Sequence, residues 1–93
     1  MITQSEREAT QLIYDELKKA KTKWPQWVDD PVHAAGILAE ESGELMQAAL
    51  DFCYSGGDIE RMKTEAAQVG AVAIRILEGV HRYERVQRYE GRA

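Results

Sequence analysis

The sequence predicts an all-α fold, an antiparallel bundle of three main helices. Apolar residues recur at a period near 3.6 in three separate stretches. Each stretch is bounded by residues that start or stop helices, and none alternates at period two in the manner of a strand. With 93 residues and no composition break, 1–93 reads as a single domain.

The first helix is expected from a Ser5-x-x-Glu8 capping box to about Lys21, with Ala9, Leu12, Ile13, Leu17 and Ala20 as its apolar stripe. Lysines crowd its end, where the helix dipole favours positive charge. Trp24-Pro25 then interrupts it. Asp30-Pro31 signals the next start, an N-cap acid followed by proline at the first helical position. The second helix should run from Pro31 to about Tyr54 and stop at Ser55-Gly56-Gly57, burying Leu38, Leu45, Ala49 and Phe52. Asp58 caps the third, apolar at Ile59, Met62, Ala66, Val69, Ala73, Ile76, Leu77 and Val80. Gly79 ends or bends it, and a short C-terminal helix beyond Gly79 is left open. Three helices of this size leave apolar surface uncovered, so the bundle is expected to be completed by oligomerisation, as a homodimer or homotetramer.

Charge is unevenly distributed. The chain carries 12 basic and 16 acidic residues, a net of −4. Residues 29–68 hold nine of the acids against only Arg61 and Lys63, a net of −7, and no Lys or Arg lies between Asp29 and Glu60. Such a middle repels a phosphate backbone, which argues against a nucleic acid polymer as partner. No apolar run approaches the ~20 residues of a membrane span, and the start lacks a signal-peptide pattern. One cysteine cannot form an internal disulfide, so a cytoplasmic location is expected, with Cys53 read as a small core residue.

At 100° per residue, Glu41 falls about 60° from the centre of the second helix's apolar face and Glu44 about 120° away on the same side. Glu65 and Gln68 occupy the matching positions on the third helix. A hairpin pivoting near residue 55 brings Glu44 level with Glu65, and Glu41 level with Gln68. Three carboxylates and an amide oxygen then converge on the rim of the core without a basic partner. Either these acids simply face water, or a hard divalent cation with oxygen ligands, Mg²⁺ or Mn²⁺, compensates them.

Glu40-Glu41-Ser42-Gly43-Glu44, followed after 20 residues by Glu65-Ala66-Ala67-Gln68, resembles the Glu-Glu-x-x-Glu … Glu-x-x-Asp signature of MazG-like nucleotide pyrophosphohydrolases. These belong to the all-α NTP pyrophosphatase superfamily, and the likeness extends from about Trp24 to Leu77. The resemblance implies Mg²⁺-dependent cleavage of a nucleoside triphosphate between its α and β phosphates, giving a monophosphate and pyrophosphate. By match it makes Glu41, Glu44 and Glu65 metal ligands, with Gln68 at the fourth position and Glu40 orienting the water or holding a further metal. Gln68 departs from the family's aspartate and removes one charge. That departure keeps a rival open: a non-catalytic or weakly active helical interaction or regulatory relative.

Smaller signals bear on substrate binding. His33 shares a helical stripe with Ile37, Glu40 and Glu44 and would meet a phosphate near the helix N-terminus, unless it is only a surface residue. Trp24 and Trp27 flank Pro25 and would either stack on a base or anchor the loop. Arg75, with Arg82 and Arg88, shares the Glu65 side of the third helix and would reach triphosphate oxygens or form a solvated basic end. Glu78-x-x-His81 occurs once, whereas a di-iron carboxylate site needs two such motifs.

Overall fold

The computed structural model describes residues 1–86 and is all-helical, with no strand among them. α1 spans Gln4–Lys23, α2 Pro31–Tyr54 and α3 Ile59–Gly79, and a single 3₁₀ turn follows at Val80–Arg82. Only this one turn follows Gly79 directly, and residues 83–86 are not helical; Arg88, Tyr89 and Glu90 lie outside the described residues.

Each helix start is set by side-chain caps. Asp30 accepts from the Val32 amide at 2.8 Å, and Asp58 accepts from the Glu60 amide at 2.9 Å. α1 begins one residue ahead of Ser5, because Thr3 and Glu6, rather than Ser5 and Glu8, form the capping box. Thr3 Oγ1 accepts from the Glu6 amide at 3.0 Å and Glu6 Oε1 from the Thr3 amide at 2.8 Å. Both spacings satisfy the box; the earlier one lengthens the helix and frees Glu8 to accept from Gln4 Nε2 at 3.0 Å. The α2–α3 turn needs both glycines. Gly56 adopts φ +71°, and a Cβ on Gly57 would lie 3.0 Å from the Asp51 backbone carbon. Arg61 pairs with Asp51 across this turn.

α3 is the central element, packed on α2 along one side and on α1 along the other, while α1 and α2 scarcely touch. The approach is close because small residues line it. The buried apolar side chains are Leu17, Ala34, Ala48, Ala67 and Ala71, and no large one is fully enclosed. At Gly70 a Cβ would sit 2.8 Å from Ile13 Cδ1, so the Ile13 side chain of α1 packs directly on the α3 backbone there. α3 therefore buries Ala67, Ala71, Arg75 and Gly79, rather than the larger residues its apolar period selects. Met62, Val69, Ala73 and Ile76 are half-buried, and Ile59, Ala66, Leu77 and Val80 are exposed. Ala9, Leu12 and Phe52 are likewise exposed, and so is Cys53, which is not a core residue.

The Trp24–Asp30 loop is fixed from α3. Arg75 is 5% exposed, and its Nη2 donates to the Trp24 carbonyl at 2.8 Å. Its Nη1 reaches the Ala20 carbonyl at 3.4 Å, and its guanidinium stacks 4.9 Å from the Trp27 ring centre. The Ala20 carbonyl also accepts the Trp24 amide at 2.7 Å, so Arg75 adds a second donor there and caps the end of α1 from outside. Trp27 Nε1 donates to the Tyr83 hydroxyl at 2.8 Å, while Lys21–Glu78 and Arg82–Asp29 close the same end. No helix among the described residues is long and apolar enough to cross a membrane.

Candidate metal centre

α2 and α3 run antiparallel from the Gly56–Gly57 turn, which places Glu41 and Glu44 of one opposite Glu65 of the other. One carboxylate oxygen from each of the three lies within 4.8 Å of the other two. Glu41 and Glu65 are half-buried, and Glu44 is exposed at the mouth of the cluster. Glu41 Oε2 and Glu65 Oε2 are buried without a hydrogen-bond partner. Such orphaned acceptors carry the desolvation cost of a charged group with no hydrogen bond to offset it.

The electrostatics follow from that placement. Loss of water raises Glu41 above the ordinary carboxylate value, and the charges of Glu44 and Glu65, with a smaller push from Glu40, add to the rise. Burial also raises Glu65, followed by the Glu44 charge; Arg61 opposes this and Glu16 reinforces it. Arg61 offers little relief, because its guanidinium is engaged by Asp51.

The residues fit a hard cation. All the donors are carboxylate oxygens, the ligand type that Mg²⁺, Mn²⁺ and Ca²⁺ prefer over soft metals. Oxygens sharing one Mg²⁺ sit about 3 Å apart when cis and about 4.2 Å apart when trans, so side-chain shifts on the order of 1 Å close the cluster. Exposed Glu44 is free to make them. Glu41, Glu44 and Glu65 are thus the residues that would hold the ion.

The other sequence-predicted residues distribute differently. Gln68 follows Glu65 by one turn, but its Nε2 donates across the α1–α3 interface to Glu16 Oε1 at 3.1 Å. Glu40 is exposed one residue before Glu41. His33 is exposed two turns before Glu41, about 12 Å along the helix. Trp24 is 64% exposed, with Lys23 Nζ 5.7 Å from its ring centre. Trp27 and Arg75 lie together in the clamp at the end of α1, where the Arg75 guanidinium faces carbonyls and an aromatic ring.

Glu16 is the residue that sequence reasoning missed. It belongs to no motif, and only the packing of α1 on α3 brings it to Gln68. A groove of about 240 Å³ lined by Glu16, Lys19, Lys63, Thr64 and Ala67 runs beside it. The larger grooves lie at the Trp27–Arg82 end and along α1 from Asp15 to Lys23 and include none of the three glutamates, so it is ligand chemistry and not cavity size that marks the acid cluster.

Fold and site together define a class: an all-α chain whose central hairpin carries a three-glutamate, cation-type cluster on its edge. Set against protein-family models, curated proteins and solved structures, the chain finds no match in any of the three.

Proposed function

We propose that this chain is a divalent-cation-dependent nucleoside triphosphate pyrophosphohydrolase of the MazG-like type. The observation that carries the reading is the meeting of Glu41, Glu44 and Glu65 on facing helices, with two buried carboxylate oxygens left without partners. Glu41, Glu44 and Glu65 hold the cation, Mg²⁺ or Mn²⁺. When bound, the ion neutralises phosphate oxygens and lowers the pKa of a water. Glu40, solvent-facing and close enough for its charge to raise Glu41, is placed to orient the attacking water. The water oxygen would bond to the α phosphorus as its proton passes to solvent, the bond from the α phosphorus to the bridging oxygen would break, and pyrophosphate would leave with that electron pair. His33 and Trp24 are the sequence-selected residues left facing solvent for phosphate and base. Arg75 and Trp27 serve the site through the loop they anchor.

The active form is a homodimer or homotetramer. Val32, Gly36, Ala39, Gly43, Met46, Leu50 and Cys53 are all exposed on α2 and follow an alternating four-three spacing. That is a heptad seam, on the side of α2 turned away from Glu41. A Cβ on Gly36 or Gly43 would meet nothing within 4 Å, so neither glycine serves the packing of its own chain. The extents of 55 × 33 × 29 Å and a radius of gyration of 16.7 Å, against about 12 Å for a compact chain of this length, fit a subunit completed by a copy of itself.

A second reading, a non-catalytic regulatory relative, is favoured by the engagement of Gln68 with Glu16 in place of a fourth acid at position 68. Pyrophosphate release from a panel of nucleoside triphosphates with Mg²⁺ separates the two. The enzyme reading predicts release from at least one nucleotide and its loss in Glu41→Gln. No release from any, or release that survives that substitution, supports the regulatory reading.

A further inference from the structure

We infer that the exposed seam of α2 seats a second copy of this chain antiparallel to itself, about a two-fold axis at Gly43; this rests on the reading of that seam as the contact between copies. The seam changes character along its length. Its first half is narrow, with Gly36, Ala39 and Gly43, and its second half is broad, with Met46 61% and Leu50 44% exposed. Val32 and Cys53 mark its two ends, both turned to solvent. Nothing in the same chain fills the narrow half, since a Cβ on Gly36 or Gly43 would meet no atom within 4 Å. Exposed apolar knobs and the notches to receive them thus lie on one face of one helix.

A second copy fits these halves in one orientation. Run parallel, small residues face small ones along one half of the 24-residue helix and large face large along the other, so the helices splay. Turned antiparallel about Gly43, Gly36 faces the partner's Leu50, Ala39 lies beside the partner's Met46, and Val32 lies beside the partner's Cys53. The layers on either side of the axis then each pair a smaller residue with a larger one. Charge selects the same orientation. α2 carries Glu40, Glu41, Glu44 and Asp51 and no Lys or Arg. Parallel pairing sets each acid level with its own counterpart. The antiparallel register sets them level with Met46, Leu45, Ser42 and Ala35 of the partner subunit, all uncharged. Each helix N-terminus also comes beside the partner's C-terminus, where their dipoles attract. An interface of this kind presents the same patch from both copies and closes as a dimer.

Cys53 is the chain's one cysteine, so oxidative cross-linking reads the orientation. Antiparallel pairing holds the two Cys53 positions about 30 Å apart along the axis, far beyond disulfide reach, whereas parallel pairing brings them together. The full chain is first weighed by light scattering, then oxidised with copper–phenanthroline and run on a non-reducing gel. The wild type should be a dimer that does not cross-link. Val32→Cys should give a covalent dimer, and Val32→Cys with Cys53→Ser should lose it, because the two copies of position 32 also lie at opposite ends. Gly36→Leu should turn the dimer into a monomer with helical content by circular dichroism unchanged. Adding Leu50→Ala should restore the dimer, which a merely destabilised fold would not do. A Cys53–Cys53 disulfide in the wild type, a dimeric Val32→Cys protein that fails to cross-link, or a Gly36→Leu protein that stays dimeric or is not rescued overturns the antiparallel pairing and leaves the dimer standing. A wild type that is monomeric at every concentration overturns both.

Discussion

Replacing Glu65 by Gln should stabilise the metal-free protein. In the wild type Glu65 places a carboxylate within 4.8 Å of those of Glu41 and Glu44, with one oxygen buried and unpaired. Two unit charges at that separation repel by about 1 kcal/mol in water and about 3.5 kcal/mol at an effective dielectric of 20. The cluster is half-buried with Glu44 exposed, so the relief from removing one charge lies near the lower figure. Losing the attraction to Arg61 subtracts well under 1 kcal/mol, since that group is exposed and paired elsewhere. The net gain is about 1–2 kcal/mol, which for a domain this small raises Tm by roughly 5–15 °C.

The pH dependence has a definite sign. Burial and neighbouring acids hold Glu41 and Glu65 above the ordinary value of 4.5, so the folded state keeps protons that the unfolded state has released. The stability they contribute is fully present below the ordinary value and is lost as pH rises through the raised one. Thermal unfolding followed by circular dichroism in EDTA, at one protein concentration, should therefore show Glu65→Gln gaining on the wild type between pH 4 and 7.5. Reading the difference between the two proteins cancels carboxylates that act oppositely, such as Glu6, which its hydrogen bonds to Thr3 hold low. Millimolar Mg²⁺ or Mn²⁺ should raise the Tm of the wild type and leave the variant unmoved. A variant with equal or lower Tm in EDTA at pH 7.5 would refute the claim that these acids are uncompensated.

Other outcomes follow from the packing. Arg75→Met removes a buried guanidinium from the Trp24 carbonyl and the Trp27 ring and should cost about 2–3 kcal/mol by chemical denaturation, with Arg75→Lys recovering less than half. Gly57→Ala forces a Cβ against Asp51 backbone 3.0 Å away and should cost about 1–3 kcal/mol, read the same way. Gly43→Glu puts a charge on the α2 seam where its own chain leaves open space; light scattering should show the mass falling to a monomer, with helical content by circular dichroism unchanged.

Much of the hairpin was legible because local chemistry dictates it. Asp30-Pro31 and Ser55-Gly56-Gly57 bound α2 at the residues the structure shows, since capping and turn formation depend on near neighbours. The meeting of Glu41, Glu44 and Glu65 followed from helical spacing and one tight turn. What failed depended on how closely helices approach. The period on α3 selects its large apolar residues, yet Ala67, Ala71 and Gly79 are buried, because small side chains let backbones draw together and leave Leu77 and Val80 outside. Glu16 escaped notice for the same reason. Its contact with Gln68 depends on the rotation of α1 against α3, which no sequence spacing encodes. By its azimuth Arg75 reads as a phosphate ligand or a solvated basic end, but the end of α1 lies over that same face and supplies the carbonyls it caps.

The most direct measurement is phosphorus NMR of a nucleoside triphosphate incubated with the protein and Mg²⁺. The expected result is a monophosphate and pyrophosphate appearing together in equal amounts, absent with EDTA and absent in Glu41→Gln. A diphosphate with orthophosphate, or a triphosphate left intact across the nucleotide panel, would contradict the assignment of Glu41, Glu44 and Glu65 to pyrophosphohydrolase chemistry.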